Sequence, residues 1–263
     1  MQDNHDRPDT DRAVIDDQFT RQADLFANAA ALHNAAALDS LVMAASPKLT
    51  ESSLDIACGP GTVVAAFAGR VGRAAGLDTT AAMLDQARRL EARLGLSNVS
   101  WYQGDVGALP FADGAFDIVS CRFAFHHFEQ PEQAFAEMLR VCRPGGRIVV
   151  CDAVASDDPT RAEAFNEMER LRDPSTVEFR TLEFFVDLFR KFGMPTPISS
   201  LYKVPVEMEA LLKTSFPAND HRDGVRQLLR DAVEGDCMGL NLRAHGDTVR
   251  FDYPAAILVS TKA

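Results

Sequence analysis

Leu54-Asp-Ile-Ala-Cys-Gly-Pro-Gly-Thr62 decides the fold. The apolar run from Leu54 to Cys58 reads as a buried strand, and Thr62 to Arg70 as a helix, with two glycines crowded into the turn between them. A strand that passes into a helix through glycines lets a ligand touch bare backbone. The free N–H groups and positive dipole end of that helix attract a carboxylate or phosphate. The dinucleotide fingerprint G-x-G-x-x-G would place a third small residue at position 64, where Val64 stands, so a nicotinamide cofactor is disfavoured.

Outward from this turn, short apolar runs alternate with helix-period segments as far as Val150, the signature of βαβ units around a mostly parallel sheet. Strands are expected over 54–58, 74–77, 99–102, 116–121 and 147–151, and helices over 62–70, 80–94 and 131–141. Gly95 is a favourable helix stop, and Pro131 suits a first helical turn, where its missing N–H is harmless. Arg143-Pro-Gly-Gly146 reads as a turn. A helical preface over about 12–45 stops at Pro47. Beyond the core, 158–192 reads as charged amphipathic helices and 206–245 as helical and polar, while 198–204 and 249–261 look like two further strands. Pro254 interrupts the last strand, which should contain a bulge there or leave that N–H side free.

Composition narrows the function. The 263 residues are 46% hydrophobic and 25% charged, a soluble globular profile, and the net charge of −11 repels phosphate backbones and anionic lipid heads. Nucleic acid is therefore not an expected partner. Asp3, Asp6 and Asp9 cannot form the basic start of a signal peptide, and the apolar stretch Ala23 to Ala45 is broken by Asp24, Asn28, His33, Asn34 and Asp39, so a cytoplasmic chain without a membrane span is expected. Cys58, Cys121, Cys142, Cys151 and Cys237 are an odd, scattered set without a CxxC pair, which favours reduced thiols over disulfides or zinc.

Three acids follow strand ends. Asp55 lies in the glycine turn's strand, and Asp78 follows Gly76-Leu77, where a carboxylate can accept both hydroxyls of a ribose or simply cap a helix. Gly104-Asp105-Val106 repeats the arrangement, and an exposed carboxylate beside an apolar side chain suits the amino edge and flat face of a purine.

Together these residues resemble the class I S-adenosylmethionine-dependent methyltransferases, particularly the small-molecule branch that includes the ubiquinone/menaquinone methyltransferases. The resemblance covers about residues 50–152. It is carried by Leu54 to Thr62, Gly76-Leu-Asp-Thr-Thr-Ala-Ala-Met-Leu84, Gly104-Asp-Val-Gly-Ala-Leu-Pro-Phe111, Phe116-Asp-Ile-Val-Ser-Cys-Arg122, His126-His127-Phe128 and Leu139-Arg-Val-Cys-Arg-Pro-Gly-Gly146. The Gln18-Phe19 to Phe26 segment looks like that branch's N-terminal helix.

The resemblance implies an α/β fold: a Rossmann-like, doubly wound, mostly parallel seven-stranded sheet with an antiparallel last strand, plus N-terminal helices and a helical cover. Residues 1–46 would form the helical segment, 47–155 the cofactor-binding core, 156–195 the cover, and 196–263 the closing strands with a helical insertion over 206–245. By matching position, Asp55, Cys58 and Gly59 would surround the methionine part of S-adenosyl-L-methionine. Asp78 would hold the ribose, Met83 would pack near the adenine, and Asp105 with Val106 would bind its amino edge. Backbone around Cys121 and Arg122 would face the methionine amino group and sulfonium, and Gly61 and Thr79 complete the set.

The implied chemistry is in-line displacement of a methyl group from a sulfonium by an O, N or C nucleophile of a small, partly apolar metabolite, in secondary metabolism, with no metal required. Orientation and proximity carry about 7–11 kcal/mol of such a reaction at best. An acceptor that must lose a proton gains roughly 10² to 10⁴ in rate from a nearby base. His126 and His127 are the candidate bases; alternatively one packs against Phe125 and Phe128 and the other caps the next helix. Phe19, Phe26, His33, Phe179 and Arg180 are candidate acceptor-site residues. His33 and the phenylalanines equally suit core packing, and Arg161, Arg170, Arg172 and Arg180 a solvated helix face, unless an acceptor carboxylate recruits one of them. A monomer or homodimer is expected. The competing readings are a nicotinamide-dependent oxidoreductase and a noncatalytic S-adenosylmethionine-binding protein.

Overall fold

The computed structural model describes residues 7–26, 35–217 and 221–263. Eight strands form one sheet: β1 (Ser52–Ile56), β2 (Arg73–Asp78), β3 (Val99–Gln103), β4 (Phe116–Arg122), β5 (Cys142–Ala153), β6 (Ile198–Glu207), β7 (Arg243–His245) and β8 (Thr248–Thr261). Their order is β3-β2-β1-β4-β5-β8-β6, with β7 paired to β8 off this path. The five strands from β3 to β5 are parallel, and β8 runs antiparallel to both β5 and β6. The chain thus builds outward from β1 in one direction and from β4 in the other. The seam between β1 and β4, at their carboxyl ends, is the place where open α/β sheets bind ligands.

The sheet is buried on both faces because successive side chains point to opposite sides. On one face Val119, Cys121, Ile148 and Val150 join Phe125, Phe135, Met138, Phe185 and Phe189, under α5 (Pro131–Val141) and α7 (Leu182–Lys191). On the other, Ile118, Val149 and Cys151 meet Leu41, Val64, Phe67 and Leu84 of α2 (Ala35–Ala44), α3 (Thr62–Ala68) and α4 (Ala81–Leu94). Gly95 ends α4 at φ +64°, the left-handed stop expected of it. A third cluster, with Phe165, Met168, Met208, Val225, Leu229 and Phe251, packs α6 (Pro159–Arg172), α8 (Met208–Lys213) and α9 (Arg222–Asp231) beyond the sheet's end. Helix α1 (Arg7–Phe26) lies across the carboxyl end of the sheet, with Ile15 and Phe19 at the cavity described below.

Three expectations change. The segment 206–245 is not helical throughout: it ends in β7, which turns into β8 through Gly246-Asp247, with Gly246 at φ +59° as a two-residue hairpin favours. The Arg143–Gly146 turn is embedded in β5 as an irregularity that places these residues opposite Asp117 alone, since Phe116 pairs with Cys142 while Ile118 already pairs with Arg147. Pro254 causes no bulge. Its register with Lys203 of β6 is regular, its carbonyl accepts the Val154 N–H at 2.8 Å, and its missing donor therefore faces the β5 side, just past the last β5–β8 pair, Ala153 with Ala255. No helix among the described residues is long and apolar enough to cross a membrane.

Candidate active site

The turn after β1 is built to hold backbone open. Ala57, Gly59 and Gly61 all take positive φ, at +49°, +51° and +82°. The two glycines do different work. A Cβ on Gly59 would meet nothing within 4 Å, and Gly59 lines a cavity of about 640 Å³. A Cβ on Gly61 would stand 2.5 Å from the Trp101 ring, so Gly61 lets α3 close on the sheet and is not part of the cavity wall.

Two buried carboxylates lie beside this turn. Asp55, at the end of β1, is 2% exposed and accepts the Ser120 hydroxyl of β4 at 2.6 Å. Burial pushes its pKa up to about 7, against the pull of Ser120 and of Arg122. Asp78, at the end of β2, accepts the Gly59 N–H at 2.8 Å on one oxygen and the Thr80 N–H at 2.9 Å on the other. Burial raises its pKa and these N–H groups oppose the rise. Each carboxylate oxygen keeps a second lone pair for a ligand hydroxyl.

Of the expected cofactor residues, Asp55, Cys58, Gly59, Asp78, Thr79, Met83, Asp105, Val106 and Arg122 all line the one cavity. Asp105 is steadied by the Gly107 N–H at 2.7 Å. The Arg122 guanidinium lies 4.5 Å over the Phe123 ring. Gly61 and Cys121 lie outside the lining; Cys121 is fully buried in the core beneath it, where burial raises its thiol pKa.

The histidines separate. Both sit on a 3-10 turn, Phe125–His127, after a strained Phe123 at φ +53°. His126 is outside the lining: it stacks on Phe179 with ring centroids 4.2 Å apart, and Asp152 accepts its Nδ1–H at 2.8 Å and its main-chain N–H at 3.2 Å. His127 lines the cavity, with the Phe19 ring edge-on at 5.0 Å. Its Nδ1 lies 3.0 Å from the Ser175 main-chain oxygen. A carbonyl only accepts, so Nδ1 carries the hydrogen and Nε2 the lone pair. Burial, then the neighbouring His126, lowers the His127 pKa to about 4, so the ring is neutral at ordinary pH.

Among the expected acceptor-site residues, Phe19 is on the wall. Phe179 packs against His126 and Phe165, and Arg180 pins the histidine turn by donating to the carbonyls of Phe125 at 2.8 Å and Phe128 at 3.0 Å; neither lines the cavity. His33 and the Phe26 side chain lie outside the described residues. Sequence reasoning missed Ile15, Phe123 and Phe128 on the wall, and Asp152 and Ser175 behind it. The aromatic flanks of His126-His127 were the available signal for Phe123 and Phe128. Nothing local marks Ser175 as a partner 48 residues from His127.

Residues 54–150 match the family described as Methyltransferase domain. The chain is similar to the uncharacterized methyltransferase YcgJ of Bacillus subtilis, 28% identical over 93% of this chain and 97% of that protein. It is 34% identical to the ubiquinone/menaquinone biosynthesis C-methyltransferase UbiE of Roseobacter denitrificans over 56% of this chain and 62% of that protein. The crystal structure of B. subtilis YcgJ superposes with a TM-score of 0.79 at 28% identity, covering 86% of this chain and 97% of that one.

Proposed function

The chain belongs to the class I S-adenosylmethionine-dependent methyltransferases, and from that premise we propose that it methylates an uncharged, partly aromatic small molecule whose reacting hydroxyl, or hydroxyl-activated ring carbon, is deprotonated by His127. The observation that carries this reading is the neutral His127 imidazole on an otherwise largely apolar stretch of wall, with Ile15, Phe19, Phe123 and Phe128. The same wall suits an aromatic ring better than a carboxylate or phosphate. The similarity to a protein named as a ubiquinone/menaquinone C-methyltransferase points the same way, toward a hydroquinone-like acceptor.

The residues fit the cofactor. Gly59 leaves bare backbone at the cavity, and Asp55, Asp78 and Asp105 bring carboxylates to a ligand that carries a sulfonium, a ribose diol and a purine amino edge. In this reading Asp55, Cys58, Gly59 and Arg122 hold the methionine end, Asp78 and Thr79 the ribose, and Met83, Asp105 and Val106 the adenine. Bound there, the cofactor supplies an electrophilic methyl group. His127 receives the acceptor's proton on Nε2, which raises the nucleophilicity of the oxygen or of the ring carbon conjugated with it. Helix α1, whose Ile15 and Phe19 line the cavity, acts as the cover that excludes water.

Native mass spectrometry for co-purified S-adenosylmethionine or S-adenosylhomocysteine tests the cofactor. Transfer of labelled methyl to a panel of hydroquinones, catechols, amines and carboxylic acids tests the acceptor: product on hydroxyl-bearing rings is expected, and product confined to amines or carboxylates would overturn it.

A further inference from the structure

Asp173-Pro-Ser175 follows α6 and folds as a turn closed by its own side chain: Asp173 Oδ1 accepts the Ser175 N–H at 3.0 Å and the Ser175 hydroxyl at 2.6 Å. A hydroxyl has one hydrogen. Once it is donated to Asp173, only lone pairs remain on Ser175 Oγ, which lies 3.2 Å from His127 Nδ1. With the Ser175 carbonyl at 3.0 Å, His127 Nδ1 therefore faces two acceptors. The other Asp173 oxygen accepts Gln22 Nε2 of α1 at 3.2 Å, and Gln22 is fully buried. Asp173 is 2% exposed, with the Arg172 guanidinium 3.8 Å away. Burial would raise the Asp173 pKa, but Arg172, His127 and the hydrogen bonds from Ser175 and Gln22 together hold it at about 2, so the carboxylate stays an acceptor.

We propose that Asp173, through the Ser175 hydroxyl, is a positioning residue that fixes His127 as its Nδ1–H tautomer and leaves the Nε2 lone pair for the acceptor's proton. This rests on the reading of His127 as the base. The proton passes from the acceptor hydroxyl to Nε2, and the imidazolium so formed keeps its Nδ1–H on the Ser175 oxygens, beside the Asp173 charge. Because Gln22 and Phe19 lie on α1, the helix that covers the cavity also completes the support of its base.

The test is the ring itself. In full-length protein labelled with ¹⁵N-histidine, long-range ¹H–¹⁵N spectra report the tautomer, with His127 identified by the signals lost in His127→Gln. The wild-type ring is expected as a single Nδ1–H form. In Asp173→Ala no side-chain acceptor holds the Ser175 hydroxyl hydrogen, which is then free to face Nδ1, so a mixture of tautomers is expected. Ser175→Ala keeps the carbonyl acceptor and the Nδ1–H form, and adding Asp173→Ala to it should change nothing further. A wild-type Nε2–H ring, which needs no variant to detect, or a folded Asp173→Ala protein with a spectrum identical to wild type, would overturn the proposal. Full methyl transfer by His127→Gln would instead remove the base reading while leaving these spectra as they are, and absence of S-adenosylhomocysteine binding by calorimetry would remove the site reading.

Discussion

The Ser120 hydroxyl donates to Asp55 at 2.6 Å across the seam where the sheet's strand order reverses. This bond joins β1 to β4 at the carboxyl ends of both strands, beneath the cavity. It offsets only part of what burial costs the Asp55 carboxylate, whose pKa stands at about 7.

That cost sets a stability prediction. An acid whose folded pKa lies above its unfolded value favours the fold while protonated, and this contribution fades as pH rises from about 4 to about 7. Asp55→Asn carries no charge and keeps an oxygen for Ser120. It should equal wild type near pH 4 and be the more stable protein above pH 7, by on the order of a few kcal/mol. Urea denaturation across this range checks it. The same variant should lose cofactor affinity, because in the proposed site Asp55 is a carboxylate that holds the cationic methionine end. Wild-type affinity for S-adenosylmethionine should correspondingly rise between pH 6 and 8 as Asp55 ionises.

The two glycines of the turn should fail in different ways. Gly59→Ala points a methyl into the cavity and pays about 1–2 kcal/mol of backbone strain, so the protein folds and binds S-adenosylhomocysteine poorly. Gly61→Ala adds to that strain a contact at 2.5 Å with Trp101, and should lower the melting temperature far more than Gly59→Ala does. Calorimetry and thermal melts on the pair separate binding from packing.

His127→Gln should cut the single-turnover methyl-transfer rate by roughly 10²-fold or more with little change in cofactor affinity. His126→Gln should act on stability, through the lost Asp152 bond and the Phe179 stack. Equal rate losses in both variants would mean that the turn, rather than the cavity-facing ring, controls transfer. With the His127 pKa at about 4, the wild-type rate should show no histidine-dependent step between pH 6 and 8.

On α6, Glu169 accepts both the Arg172 guanidinium, at 2.6 Å, and the Tyr253 hydroxyl, and Glu169 is fully buried. Arg172→Met leaves that carboxylate uncompensated and should cost about 3–5 kcal/mol by urea denaturation. Sequence reasoning left Arg172 open as a solvated surface residue, since helix period alone does not say which polar face a later strand covers.

The contrast runs through the whole chain. The parallel core was legible because Leu54–Ile56, Ile118–Cys121 and Ile148–Cys151 are buried on both faces and read as short, mostly apolar runs, and because Gly59 and Gly95 mark turns by a conformation other residues resist. The Gly246-Asp247 hairpin carried a local signal that the polar surroundings of 206–245 obscured. The separation of His126 from His127, and of Gly59 from Gly61, depends on which side of one turn faces the cavity. The Ser175 contact to His127 is set by long-range packing of the turn after α6 against the histidine turn, which no spacing encodes.

The central claim is that Asp55, Gly59 and Asp78 form an S-adenosylmethionine site, and calorimetric titration of S-adenosylhomocysteine into wild type and Asp78→Ala tests it most directly. Saturable binding to wild type is expected, weakened in the folded variant by about 1.5–3 kcal/mol, the scale of hydrogen bonds to a charged group. No binding to wild type, or equal affinity in a folded Asp78→Ala protein, would contradict it.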